Sequence, residues 1–401
     1  MQGHGLDLTN LAIIMAVAAA LGLALSRAKL PAMVGYIAAG MALGPSGLGL
    51  VGREAGDDVN ALAELGVLML LFIAGLEVSI PSFRRVIRPA TVAALGLVIA
   101  ACVGAFLIAP ALGWGARTAL LFGFIVSISS TAAALTILGD ADELKTRAGE
   151  ITVGIMVAQD LLVVPMLIVV ESFESEQLDF IQLGVRIAIA LGVFALILFA
   201  FRRGRVLAVP GSKRLAAQTE LIALLGLSAC FGAAALSGVA GLSPAYGAFI
   251  AGLLMGVTTL RGPATRAILP LQTILLVVFF LSVGLLIDRT FILENWALVV
   301  SASLGVIAFK TALGIALLRF SGVAWSDAVT AGLASAQIGE FSFILAGAGL
   351  AAAAIGPEGY RLAITIIAAT LLISPLWVFV VRAVHDRAIS ALSRRIPGIE
   401  S

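Results

Sequence analysis

The chain has 401 residues, of which 61% are hydrophobic and only 12% charged, and its formal net charge is +2. A soluble globular domain carries about 25% charged residues, so half the polar surface needed to face water is missing and a soluble fold is excluded. The basic residues are spread through short loops rather than gathered into a patch, which excludes nucleic acid as a partner. Cys102 and Cys230 both lie in apolar stretches, and His4 and His385 stand near opposite ends. These four residues offer neither a disulfide framework nor a zinc site, and no cofactor is expected. The first ten residues lack the basic region of a cleavable signal.

A bilayer needs roughly 20 apolar residues per crossing, and the hydropathy pattern predicts about thirteen segments. They are residues 8–26, 30–44, 59–78, 90–110, 117–138, 148–171, 181–201, 217–236, 243–258, 268–287, 293–318, 327–349 and 358–381. Most of the 25 basic residues fall in alternate loops, among them Arg84, Arg85 and Arg88, Arg202, Arg203 and Arg205, and Arg394 and Arg395. Only Arg53, Arg117, Arg289 and Arg361 occupy the opposite set. Cytoplasmic loops collect Lys and Arg, so the N-terminus is expected outside an inner (plasma) membrane and the C-terminus in the cytoplasm.

Two sequence patterns recur about 210 residues apart. Pro31, Gly35, Gly40 and Gly44 match Pro244, Gly247, Gly252 and Gly256, while Phe72, Gly75 and Glu77 match Phe280, Gly284 and Asp288. The second segment enters from the cytoplasm and the ninth from outside. The pattern therefore predicts inverted repeats over residues 30–171 and 243–381 within one membrane transport domain spanning 1–401, the organisation of secondary transporters with a site near the midplane.

Charges inside the segments are few. Asp160 lies about 15–20 Å from either end of its segment at helical rise, where a carboxylate costs at least roughly 2.5–3.5 kcal/mol on insertion scales and marks an ion pathway. Lys310 is the lysine within a span at similar depth, and pairing with Asp160 would neutralise both. The fifth and twelfth segments look broken. Ser127, Ser129, Ser130 and Thr131 put four hydroxyls in five residues, and Gln337, Gly339, Glu340 and Ser342 hold the corresponding place 209 residues on. Unwound backbone at membrane depth is tolerated where it is buried or lines a cavity, and its carbonyls can then hold a cation. Glu340 reads equally as a cap for the crossing or as an ion contact. Glu77 and Asp288 stand at segment ends and read as interfacial, Glu64 as facing an aqueous cleft, and Glu171, Glu174 and Glu176 as an external loop.

Taken together, Pro31 to Pro45, Gly75 to Glu77, Ser129 to Thr131, Gln159 and Asp160, Gly247 to Gly252, and Gln337 to Phe341 resemble the monovalent cation:proton antiporter family, with the Kef-type potassium/proton branch nearest. The resemblance spans nearly the whole chain. It implies an all-α fold of thirteen helices with crossed discontinuous helices, divided into dimerisation and core subdomains, and an elevator-like motion of the core in a homodimer. It implies that Asp160 carries the cation (K⁺ or Na⁺) and the proton, that Gln159 stands where electrogenic sodium/proton relatives have a second aspartate, and that exchange is electroneutral. It further implies Lys310 as the charge partner of Asp160. Kef-type systems usually continue into a cytosolic nucleotide-binding domain or work with a regulatory subunit; this chain runs to Ser401, about 20 residues past its last expected segment, with no Gly-x-Gly-x-x-Gly stretch following a strand. A gated channel would need a filter sequence, and a sodium-coupled organic-anion carrier would need basic groups beyond Lys310. An intramembrane enzyme lacks a nucleophile–base set near Ser129 or Asp160.

Overall fold

The computed structural model describes residues 8–28, 30–50, 53–77, 80–174, 206–240 and 242–395, with a few positions between 184 and 192. The segment expected at 181–201, including Arg186, lies almost wholly outside the described residues. Elsewhere the expected segments fall on helices. They are α1 (Leu8–Arg27), α2 (Ala32–Leu43), α3 (Arg53–Glu77), α4 (Ile80–Leu112), α5 (Ala116–Ser127), α6 (Thr131–Asp140) and α7 (Arg147–Glu171). After the undescribed stretch come α8 (Ser212–Ala216), α9 (Thr219–Val239), α10 (Pro244–Gly256), α11 (Arg261–Leu286) and α12 (Arg289–Glu294). The chain continues through α13 (Trp296–Phe320), α14 (Trp325–Ala334), α15 (Phe341–Ala351) and α16 (Pro357–Arg395). Among the described residues no strand forms beyond one isolated bridge, Leu207 with Thr258. Among the described residues seven spans are long and apolar enough to cross a bilayer, the interrupted α5–α6 pair counted as one, and shorter apolar helices accompany them. Such spans satisfy every backbone group internally, as lipid requires.

The helices pack as two groups. In one, α2 lies on α1 and α11, and α3 lies on α10 and α11, with α9 against α10. Glycine sets the spacing here. A Cβ on Gly40 would strike the Leu281 carbonyl oxygen and one on Gly284 the Ile37 carbonyl oxygen; likewise Gly75 faces Phe249 and Gly252 faces Phe72. Thus α2 crosses α11 backbone to backbone, and α3 crosses α10 in the same way. In a bilayer, where no hydrophobic force drives helices together, such close approach supplies the dispersion contacts that hold them.

The second group contains α4 to α7 and α13 to α16. Helix α4 packs on α5, α7 and α13; α15 packs on α5, α7 and α16; and α14 packs on α13 and α7. Two of its spans are interrupted, as expected. Helix α5 stops at Ser127, Ile128 and Ser130 are extended, and α6 resumes at Thr131 with the Ser130 hydroxyl accepting from the Ala133 amide. Helix α14 stops at Ala334 and α15 begins at Phe341. Contacts between the groups are sparser, made chiefly by α10 with α7 and α2 with α16.

The glycine contacts yield a contrast of sign. Gly→Ala gains about 1 kcal/mol of helix propensity, whereas forcing a methyl into packed backbone costs about 1–3 kcal/mol. Gly252→Ala and Gly40→Ala are therefore expected to lower the melting temperature in detergent, while Gly104→Ala, whose Cβ would meet nothing within 4 Å, leaves it unchanged or raised. Fluorescence-detected size exclusion after heating reads the difference.

Candidate functional site

The interrupted spans cross each other. The Gly339 amide donates to the Ile128 carbonyl at 3.0 Å, and a Cβ on Gly339 would collide with the Ser129 backbone. The Ser129 hydroxyl donates to the Ser335 carbonyl at 2.8 Å, Gln337 Nε2 donates to the Ser130 carbonyl at 3.2 Å, and the Ser342 hydroxyl donates to the Ile125 carbonyl at 2.7 Å. Ser129 and Ser342 thus tie one broken span to the other, whereas the Ser127 hydroxyl donates back to the Phe124 carbonyl of its own helix at 2.8 Å. Thr370 of α16 completes the set, its hydroxyl accepting from the Ile338 amide at 3.2 Å.

Two helix C-termini, those of α5 and α14, meet at this crossing, and each carries partial negative charge from its unpaired carbonyls. Lys310, near the middle of α13 and buried, points its ammonium between them. Its Nζ donates to the Ile128 carbonyl at 2.8 Å and to the Gln337 carbonyl at 2.9 Å. The ion pair with Asp160 expected from sequence is not formed: the Lys310 ammonium bonds to backbone carbonyls instead. The physical reason is local. Two carbonyls released by helix breaks already offer the ammonium close, fixed acceptors.

Gln159 is also committed to the break. Its Oε1 accepts from the Ser129 amide at 3.0 Å and its Nε2 donates to the Ser127 carbonyl at 2.9 Å, so one side-chain amide closes both edges of the α5–α6 gap. The neighbouring Asp160 differs. It is deeply surrounded by protein yet keeps accessible surface, and its Oδ1 is buried without a hydrogen-bond partner. Glu340 and Glu77 lie within Coulombic reach of it. Four of the six buried side-chain oxygens without a partner among the described residues belong to this region: Thr131 Oγ1, Asp160 Oδ1, Gln337 Oε1 and Glu340 Oε2. Buried oxygens are nearly always hydrogen-bonded, so this cluster of unpartnered acceptors suits a cation or proton. Glu340 sits at the N-terminus of α15 without capping it through its side chain, and the Ser130 hydroxyl faces its carboxylate.

Between the helix groups lies a cavity of about 620 Å³, lined among others by Glu64, Glu171, Ser243 and Tyr360, and Asp160 is not among its lining residues. Phe279 and Phe343 form part of its wall and pack with Phe280 at centroid separations of 5.3–6.4 Å. Asp288 caps α12, accepting from the Thr290 amide at 2.9 Å. Thr370, which sequence reasoning passed over, carries no signal beyond being a hydroxyl in an apolar run. Glu77, read as interfacial, is the exposed last residue of α3, and its carbonyl accepts from Arg261 at 2.7 Å.

Residues 12–382 match the family model described as sodium/hydrogen exchanger, transmembrane. The chain belongs to the sodium/hydrogen exchanger family. Within it, the iron transporter MagA of Paramagnetospirillum magneticum is 42% identical over 386 residues, covering 96% of this chain and 88% of that protein. YbaL of Escherichia coli K12, named as a cation/proton antiporter, is 31% identical over 370 residues, covering 89% of this chain and 65% of YbaL. The fold is that of the sodium proton antiporter MjNhaP1 from Methanocaldococcus jannaschii. Its structure at pH 8 superposes with a TM-score of 0.70 at 16% identity, over 91% of this chain and 94% of that one. A second structure of the same antiporter, from an electron-microscopy map, gives a TM-score of 0.59 at 17% identity over 98% and 97%. This exchanger-family chain is thus a multi-pass membrane protein whose two broken spans cross beside Asp160.

The observed role of Lys310 separates it from Asp160 by experiment. Lys310→Met leaves acceptors at two helix ends without their cation and is expected to cost about 2–4 kcal/mol, since each unsatisfied buried group costs roughly 1–3 kcal/mol. Asp160→Asn, which breaks no hydrogen bond to Lys310, is expected to leave the melting temperature in place. Equal destabilisation by both substitutions would instead mark an Asp160–Lys310 pair as the structural bond. Gln159→Glu keeps the acceptor for Ser129 but loses the donor to Ser127, and is expected to destabilise by about 1–3 kcal/mol in the same assay.

Proposed function

We propose that the protein exchanges a monovalent cation for a proton, with K⁺ the leading substrate and Na⁺ the second, one for one and without net charge movement. The observation that carries this reading is Asp160: a carboxylate near the middle of a 25-residue span, partly accessible, with a buried oxygen that no donor satisfies. A carboxylate so placed binds either a proton or a cation, and one group serving both couples the two fluxes. Family membership supports cation/proton exchange, as does the name borne by YbaL. The iron in MagA's name is the competing cargo.

In the proposed cycle Asp160 is deprotonated on one face of the membrane and takes the cation, with Thr131, Gln337 and Glu340 as neighbouring oxygen donors. The core then moves as a body against a scaffold, the cation leaves, and a proton neutralises the carboxylate for the return. Ser129, Ser130, Ser342, Gln159 and Lys310 hold the crossing in shape. Gln159 in place of a second acid supports electroneutrality, because one carboxylate exchanges one charge for one charge. The crossing of α2 with α11 and of α3 with α10, pairing each glycine motif with the second motif of the other half, supports inverted repeats over 30–171 and 243–381. A homodimer in the plasma membrane, with the C-terminus cytoplasmic and a regulatory subunit or nucleotide-binding domain attached, is the assembly we propose for it.

The test is reconstitution in liposomes with a pH-sensitive dye, titrating K⁺, Na⁺, Li⁺, Rb⁺ and Fe²⁺. Exchange driven by K⁺ or Na⁺, insensitive to a voltage clamp and lost in Asp160→Asn, is the expected result; absence of cation-driven proton flux with every ion overturns the reading. Because proton and cation compete for one carboxylate, the apparent cation KM is expected to rise as pH falls, by about tenfold per unit where the proton form dominates. A KM that stays flat from pH 6 to 9 would separate the two binding events.

A further inference from the structure

On the flank of the second helix group, away from Asp160, α4, α5, α13 and α16 enclose a crevice of about 500 Å³. Its volume lies within the roughly 300–1,000 Å³ typical of ligand pockets. Apart from the indole nitrogen of Trp114, its side-chain lining is carbon. The rim is the lipid-facing surface itself: Ile108 and Leu112 of α4 and Leu298 and Phe309 of α13 line the crevice and are also exposed apolar residues. The floor is different in kind. Ile125 and Ile338 are buried; Ile125 gives its carbonyl to Ser342, and Ile338 lies between Gln337 and Gly339 in the interrupted span.

Small residues hold this space open. At Gly40 and Gly284 the missing side chain lets another backbone approach. Gly104 and Gly305, which line the crevice, have nothing within 4 Å of where a Cβ would stand. Their smallness admits no helix. Water does not fill an apolar space that offers it no polar partners, and an empty one forfeits dispersion contacts along its whole lining. The crevice is continuous with the bilayer surface, and lipid is the apolar material in contact with it. Its dimensions agree. From Ala101 to Leu112 the α4 wall is about 16 Å long at 1.5 Å per residue, close to half of a hydrocarbon core about 30 Å thick. Trp114 stands just beyond that wall, where an amphipathic ring belongs at the headgroup level.

We propose that this crevice binds one acyl chain of a membrane phospholipid, which enters between α4 and α13 and rests on the crossing of the broken spans. The site is separate from Asp160 and does not depend on which ion the protein carries. Its occupant completes the packing around Ile338 and Ile125, so the crossing has a lipid wall on one side and α7 on the other.

The test uses the full chain in nanodiscs containing phosphatidylcholine with a carbene-generating diazirine near the end of one acyl chain, with irradiation and peptide mass spectrometry. Leu107, which points outward from α4 and is 76% exposed, reports ordinary bilayer contact. Expected is label on the floor residues Ile338 and Ile125 as well as on Leu107, with floor label falling at least several-fold in Gly104→Leu/Gly305→Leu while Leu107 label persists. Label confined to the rim in the parent chain overturns the proposal, and so does floor label that survives the filling substitutions. Where the double variant does not fold, Ala302→Leu fills the crevice from its α13 side, and the parent's own floor labelling already decides between the outcomes.

Discussion

One buried ammonium holds the membrane-embedded core in register. Breaking a helix in mid-bilayer releases carbonyls that have no water to turn to, and each unsatisfied group there costs several kcal/mol. This fold breaks two helices at the same depth and points both C-terminal ends at one spot. Lys310 answers both at once. A single cation with three donors meets the Ile128 and Gln337 carbonyls, and the favourable field of two helix ends offsets part of the cost of burying it. The charge is thus stabilised by backbone, which leaves the neighbouring carboxylate of Asp160 without a permanent counter-ion. That separation matters chemically. An acid locked in an ion pair is a poor carrier, whereas an acid whose lysine neighbour is occupied elsewhere can answer to protons and cations.

How much of this could be read from the residues depends on whether side chains or backbone carry the feature. The helix segments were legible because lipid demands long apolar runs and the sequence supplies them; the breaks were legible because hydroxyls and glycine interrupt two of those runs at matching places. Gly40, Gly75, Gly252 and Gly284 stood out as a recurring pattern, though that each meets another backbone waited for the fold. Asp160 and Lys310 stood out by rarity. Their pairing looked natural because opposite charges at similar depth attract, but backbone carbonyls are competing acceptors with no sequence signature. Gln159 illustrates the same limit. Its type suggested an uncharged ligand, while both its polar atoms are spent on Ser127 and Ser129. The Thr370 bond to the Ile338 amide follows only from how α16 packs.

The distribution of bonds also says where the molecule can yield. The crossing is held by Gly339 to Ile128, Ser129 to Ser335, Gln337 to Ser130, Ser342 to Ile125 and the two bonds of Lys310. Net values of about 0.5–1.5 kcal/mol per hydrogen bond make opening the crossing costly even before packing is counted. In the other helix group, α2 and α11 meet backbone to backbone at glycines, and so do α3 and α10, contacts that tolerate little sliding without clash. Between the groups the contacts are sparse, and a cavity of about 620 Å³ separates part of their facing walls. Strain therefore concentrates at the boundary between two stiff bodies. In the exchange cycle we propose, Asp160 is presented to each side in turn, and moving one body past the other with the crossing intact is the least costly route. In that proposed motion the aromatic contact of Phe279 and Phe280 on α11 with Phe343 on α15 lies across the sliding boundary, and it repacks with the change of access while the bonds of Lys310 stay in place.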